Sequence, residues 1–505
     1  MRRLLIAALS IAALNLQGRS GSPSALGDFD GHADVGEPKI AGSAAYNPLS
    51  QDYALSAAGA NMWAQRDEFH FLWKRLAGDF ILQANVQLIG DGVEAHRKAG
   101  LIIRSTLDAD APYVDAVVHG EGLTSLQFRR TKGGATEERQ SAIKGATVLQ
   151  LERRGGRYIM SVAKGGEPFT VTEVADVSLG DDVLAGLALC SHNAAVTERA
   201  IFSNVRIVRP AAENFRPYRD YIGSVLEVLD VETGHRRILH RSDDPFEAPN
   251  WTRDGGSLIF NTSGTGDGRG RLARFDLATG QIATIPTGTN TRNNNDHVLS
   301  FDGATLGISD SSAGGGSAVY TVPAAGGTPK RITALTPSYM HGWSPDGKTL
   351  VYTAQRNNEF DVYAAASDGS GTERNLTNSP GLDDGPEYSP DGRFIYFNSV
   401  RSGTMQIWRM APDGSSPEQL TSDDWNNWFP HVSPDGRLVV FISFPRDVSP
   451  SDHPYYKHVL LRVMPAGGGP ARVIAYVYGG QGTMNVPSWS PDSRMIAFVS
   501  NTGRF

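Results

Sequence analysis

A short turn recurs along the second half of this chain and restricts its fold more than any other feature. Ser433-Pro434-Asp435-Gly436 is one copy. Ser344-Pro345-Asp346-Gly347, Ser389-Pro390-Asp391-Gly392 and Ser490-Pro491-Asp492-Ser493 are others, with weaker copies at Thr252-Arg253-Asp254-Gly255 and Ser300-Phe301-Asp302-Gly303. In such a turn proline presets φ, aspartate bonds its own backbone, and glycine takes the left-handed end. An apolar run of strand length follows, as in Leu438-Val439-Val440-Phe441-Ile442. Successive turn aspartates are 48, 44, 45, 44 and 57 residues apart. A repeat of roughly 40–45 residues is the length of one four-stranded blade, so the spacing predicts a β-propeller.

Strand counting sets the blade number. Units that read as third strands occur at Leu226–Gly234, Arg271–Gly280, Ala318–Gly327, Asp361–Gly369, Gln406–Gly414 and His458–Gly468, six in all. The first of them precedes the first turn, and Phe505 falls just past a second strand. The expected architecture is a six-bladed propeller over residues 220–505, closed by strand exchange. In it Ser224 to His240 complete the blade begun at Val486–Val499, which leaves no open edge.

The start of the chain reads differently. Met1-Arg2-Arg3 followed by an apolar run from Leu4 to Leu16 has the pattern of a secretory signal peptide, expected over residues 1–25. The run is too short to cross a bilayer, and no other stretch has the composition for it. The protein is therefore expected in the periplasm or outside the cell. Cys190 is the single cysteine, so no disulfide within the chain supports the fold. A net charge of −7 argues against a nucleic-acid partner.

Residues 28–212 carry no repeat. Strand-like runs alternate with Gly and Asp turns, at Phe69–Trp73, Phe80–Leu88, Gly100–Arg104, Tyr113–His119, Ser125–Arg130, Val148–Arg153, Tyr158–Ala163, Val183–Cys190 and Ala200–Val208. The expected fold is an all-β sandwich. Alternation puts Arg104, Tyr113, His119, Gln127 and Arg129 on one sheet face, read here as a polar face open to solvent and suited to a sugar. No pair of carboxylates stands out as a glycosidase acid and nucleophile.

Aligning the blades on the turn aspartate compares their channel ends. Four or five residues before it stand Asn250, His297, His341, Glu387 and His431. Asp384, Asn427, Trp428, Gln481 and Asn485 fall nearby. The insert that lengthens one repeat adds His453 and Tyr455 on the same face. These residues are the expected ligand-binding set, with Trp425 and Trp428 stacking on a sugar ring. His341 and His431 are the candidate general bases. His297, His341 and His431 are the candidate ligands for a divalent metal, Mn²⁺ or Ca²⁺. Trp251, Trp343 and Trp489 are expected in the packing between blades.

The repeats resemble those of TolB-like six-bladed propellers, whose hallmark is this Ser-Pro-Asp-Gly turn. The first domain resembles concanavalin A-like lectin or glucanase sandwiches (jelly rolls) in Asp79-Phe80-Ile81-Leu82-Gln83-Ala84, Lys98-Ala99-Gly100-Leu101-Ile102-Ile103-Arg104 and Ala185-Gly186-Leu187-Ala188. Three functions follow from the resemblance. One is an exported protein that binds, and in one form processes, a glycan or oligosaccharide at the channel mouth. The second is a periplasmic envelope scaffold binding a protein partner. The third is a metal-assisted polysaccharide lyase similar to oligogalacturonate lyase, although the His-x-His pair of those enzymes is not evident here. A Gly-x-Ser-x-Gly hydrolase domain is absent, which excludes the peptidases that carry such propellers.

Overall fold

The computed structural model describes residues 25–216, 219–263 and 270–505. The expected signal peptide lies outside the described residues, apart from its last position. Every named element is a β-strand. Among the described residues, no helix is long and apolar enough to cross a membrane.

Residues up to Val208 form two antiparallel seven-stranded sheets. In the first, Phe69–Ala77, Asp182–Cys190, Lys98–Arg104, Tyr113–His119 and Thr124–Arg129 are consecutive neighbours. In the second, Val148–Arg154, Phe80–Leu88 and Asn193–Val208 are central. One apolar core lies between the sheets. Leu72, Leu101, Val114 and Phe128 enter it from the first, and Leu82, Leu151 and Phe202 from the second. The period-two pattern fixes this, because Ala99, Leu101 and Ile103 share one face while Lys98, Ile102 and Arg104 take the other.

The other face of the first sheet corrects an expectation. Arg104, Tyr113 and Arg129 are fully buried, and His119 and Gln127 nearly so. A two-stranded ribbon, Met62–Trp63 paired with Arg66–Asp67, covers that face. Asp67 accepts from Arg104 at 3.1 Å and from Arg129 at 2.7 and 2.8 Å. Met62 packs with Ile102, Tyr113 and Leu184 in a second small core. Polar residues read as a sugar-facing surface are instead the lining of an internal ion cluster.

The remainder is a propeller of six sheets. Five are four-stranded and follow the chain outward, starting at Phe246, Asn293, Ser338, Asp383 and Asn426. In the sixth, Ser224–Asp230 lies between Arg236–Ser242 and Met495–Asn501. Val225 pairs with Ser500 and Asp230 with Met495, and a bridge from Trp489 to Ile496 adds the innermost segment.

The repeated turn has the same chemistry in every blade. The Ser or Thr hydroxyl donates to the aspartate at 2.5–2.7 Å. That carboxylate accepts a backbone N–H two residues further on, at 3.0–3.1 Å. The hydroxyl and the aspartate hold the turn, so copies lacking proline work as well. Gly347 and its equivalents sit near φ +71°, and Ser493 takes the same region at +63°.

The two parts are joined through the sixth blade. Glu227 is fully buried and accepts from Arg206 of the first part at 2.5 Å, from Arg236 at 2.8 Å and from Ser500 at 2.5 Å. Gln51 bonds Ile238 through both ends of its amide, and Asn204 bonds Gly234 and Arg236. Phe169 stacks on Tyr476 at 4.1 Å, beside an apolar contact of Val148 and Ala163 with Leu460 and Val473.

Candidate functional site

The inner strands run from the channel mouth toward the repeated turns. In five blades their pairing slips partway along, at Glu247/Asn250, Asn293/His297, Met340/Gly342, Asp384/Glu387 and Trp428/His431. A bulge adds a residue to one strand and re-aims its side chains. The residues at the mouth are consequently those seven before each turn aspartate, namely Glu247, Asn295, Tyr339, Asp384 and Asn485. Trp428 is the sixth member of this series and is the exception.

These residues, with Asp296, His341, Phe429, His453, Tyr455 and Gln481, line a cavity of about 730 Å³. Among the described residues, none of the lining belongs to the first domain. At the opposite end the channel narrows to about 120 Å³ between Arg253, Phe301, Trp343 and Trp489.

Of the residues expected to bind ligand, His341, Asp384, His453, Tyr455, Gln481 and Asn485 are at the mouth. The others are not. Asn250 bonds the backbone of Leu299 and Pro487. Glu387 accepts from His431 at 2.7 Å and from the N–H of Val432. These are ties between blades, below the mouth. Asn427 is enclosed by Ser443 of its own blade, Gln406 of the preceding one and Asp423 in the connection between them. Trp428 is fully buried, edge-on to His453 at 4.5 Å, and offers no surface to a sugar. Trp425 packs partly buried at the contact between the two domains.

The proposed metal set is not assembled. His297 is fully buried with Nε2 3.3 Å from the carbonyl of Ile259, and burial pushes its pKa down to about 4. His431 is held between Glu387 and the carbonyl of Met484. Only His341 reaches the mouth, so His431 is also unavailable as a general base for a ligand there. The three histidines are not among the groups whose donor atoms converge on one point.

The mouth itself is acidic. Burial raises the Glu247 carboxyl to about 7, against a 2.7 Å hydrogen bond from Tyr455. Burial likewise raises Asp296 to about 6, with Asp384 adding to it and His341 opposing. His341 lies 3.3 Å from Asp384. Burial disfavours charge on both, but their mutual attraction outweighs it, so the imidazole moves up and the carboxyl down. Asn293 Oδ1 and His453 Nδ1 are buried without a hydrogen-bond partner. Such orphaned atoms carry a cost that an occupant of the cavity would relieve.

The Glu247 shift has a measurable consequence. A carboxyl raised from 4.5 to about 7 favours folding below pH 4.5 and loses that contribution as pH rises through 7. Glu247→Gln should therefore match the wild type near pH 4 and exceed it at pH 8.5 by about 3 kcal/mol. Urea melts at the two pH values test this, and an equal difference at both would refute it.

The fold and its mouth define an all-β protein built on a six-bladed propeller with a polar, ligand-sized opening. The family model described as the TolB beta propeller domain matches residues 342–504. Over 277 residues, 55% of this chain and 92% of the other, the sequence is 46% identical to an uncharacterized protein of Agrobacterium fabrum. A solved structure named "putative TolB" from Agrobacterium tumefaciens is 44% identical, has a TM-score of 0.53, and is matched over 56% of this chain and 100% of its own. TolB from Acinetobacter baumannii is 20% identical with a TM-score of 0.41, over 52% of this chain and 65% of its own. The chain belongs to the TolB-like β-propeller family.

Proposed function

We propose that this is an exported, periplasmic binding protein whose ligand enters the propeller mouth, with no reaction catalysed there. The cavity supports this reading. It combines amides (Asn293, Asn295, Gln481, Asn485), carboxylates and aromatic faces (Tyr339, Phe429), and buried polar atoms of Asn293 and His453 lack partners. Planar polar groups beside rings suit a ligand with many hydroxyls and an apolar face, as a sugar has. Among the described residues, Glu247, Asp296 and Asp384 face Arg292 as the only lysine or arginine in the lining, so a neutral or amino-bearing glycan fits better than a uronate. The lyase reading loses its support here, since it needs cations for an acidic sugar and an assembled metal set. A second reading has a protein segment from an envelope partner in the same mouth, and family membership favours it.

The test is calorimetric titration with neutral, amino and uronic oligosaccharides, using wild type and Tyr339→Ala. The expected result is saturable binding of a neutral or amino sugar, weakened about tenfold or more by the substitution at an unchanged melting temperature. Equal affinity in the variant would reject the glycan reading at this mouth, and a preference for uronates would reject its neutral or amino-sugar form. If no sugar binds but Tyr339→Ala abolishes capture of an envelope protein, the second reading replaces it.

A further inference from the structure

One rim of the first sheet gathers chemistry that the channel mouth does not use. Three adjacent strands meet there, and their register sets Cys190, Lys98 and His119 in a row. His119 ends one strand and Glu121 lies in the turn after it. His96 stands just before Lys98–Arg104, and His192 just after Asp182–Cys190. His96 Nδ1 is 3.3 Å from His119 Nδ1 and 3.1 Å from Glu121 Oε1. All three donor atoms lie within 4.8 Å of one another. The His192 ring is 5.6 Å from that of His96.

We propose that His96, His119 and Glu121 form a binding site for one divalent transition-metal ion of the Zn²⁺ type, with the fourth position open to water. The separations carry the argument. A tetrahedral ion with bonds of roughly 2.0–2.1 Å holds its ligand atoms about 3.3 Å apart; two of the three separations are 3.1 and 3.3 Å, and the third lies within 4.8 Å. Two imidazoles and a carboxylate suit zinc, whereas calcium and magnesium prefer oxygen alone. His96 and Glu121 are about half exposed, at 52% and 42%, so an ion can enter without opening the fold.

One buried side chain behind His119 must reorient when a metal binds. Gln127 Nε2 lies 3.3 Å from His119 Nε2 and donates to Glu138 at 3.2 Å, while its Oε1 accepts from Lys98 at 3.4 Å. A metal on Nδ1 puts the ring proton on Nε2. The Gln127 amide must then turn its oxygen to His119, which gives up the bonds it makes to Glu138 and Lys98. The site depends in no way on the reading of the propeller mouth.

The experiment uses tag-free, full-length protein stripped with a chelator, then titrated with Zn²⁺ by calorimetry and with Co²⁺ by visible absorbance. The expected result is one equivalent bound, a four-coordinate Co²⁺ spectrum, and a higher melting temperature with Zn²⁺. His96→Ala and Glu121→Ala, both at exposed positions, should each weaken Zn²⁺ binding about tenfold or more. His32→Ala, at the separate His32–His70 contact, should leave it unchanged. Undiminished affinity in His96→Ala, a six-coordinate Co²⁺ spectrum, or no saturable uptake by folded wild type would overturn the proposal. The three side chains would then be a surface hydrogen-bonded group alone.

Discussion

Glu227→Ala should destabilise the protein by about 3–5 kcal/mol, the range for removing one partner of a buried ion cluster. Arg206 and Arg236 would remain enclosed without the carboxylate that bonds them both, and Ser500 would lose its acceptor. Burial works against charge on Glu227, but the two guanidiniums outweigh it and hold the carboxyl down to about 2. The sign of the pH effect follows. A carboxyl lowered from 4.5 to about 2 adds stability above pH 4.5 and loses it as pH falls through 2. Glu227→Gln keeps the size of the side chain, so its deficit should be about 3 kcal/mol at pH 7 and shrink toward pH 2. A deficit that does not change with pH would mean that shape, not charge, is what Glu227 supplies.

Deleting residues 220–240 should have a still larger effect. It removes Ser224–Asp230 and most of Arg236–Ser242, leaving Met495–Asn501 with only its inner contacts at Trp489. Leu226 and Val228 would no longer cover Ala497, Val499 and Phe260. A ring short of two strands bares an edge on each side of the gap. The expected outcome is loss of the cooperative thermal transition of the propeller and of near-ultraviolet dichroism from Trp251, Trp343 and Trp489. Should the truncated protein melt like the wild type, the sixth blade does not depend on those strands.

The parts of the fold legible in the sequence are those set by local chemistry. The Ser/Thr-x-Asp turn is specified within a few residues, and its recurrence gave six blades. Alternation in Lys98–Arg104 and Tyr113–His119 gave the correct inner face of the first sheet. The outer face was misread because nothing local in Met62-Trp63-Ala64-Gln65-Arg66-Asp67 shows that it will fold back over Arg104 and Arg129. That contact is set by distant charges.

At the mouth the error was one of counting. Aligning four or five residues before the turn aspartate ignored the bulges and selected Asn250, His297, Glu387 and His431, which are ties between blades or buried. Counting seven before the same aspartate would have found Glu247, Asn295 and Tyr339. The residues themselves do not mark the bulges: Ala248 and Phe429 hold φ near +54° in the bulged segments, a conformation that neither residue type favours. Trp428 defeated the reading because an aromatic beside a mouth and one beneath it look alike in sequence.

The composition of the sixth blade also bears on how the chain is made. Its middle strand must wait for a partner that is translated much later, since Glu227 and Ser500 are 273 positions apart. Pairings so distant in sequence form slowly, and strand edges that wait invite wrong partners. Arg206, however, is only 21 positions before Glu227. Gln51, Asn204 and Arg206 all leave the ribosome ahead of Ser224–Ser242, and all bond that hairpin. The N-terminal sheets are therefore in place to cradle the hairpin while the other five blades are synthesised. In biosynthetic terms the first domain is a template, and the ring is completed against a surface that already exists.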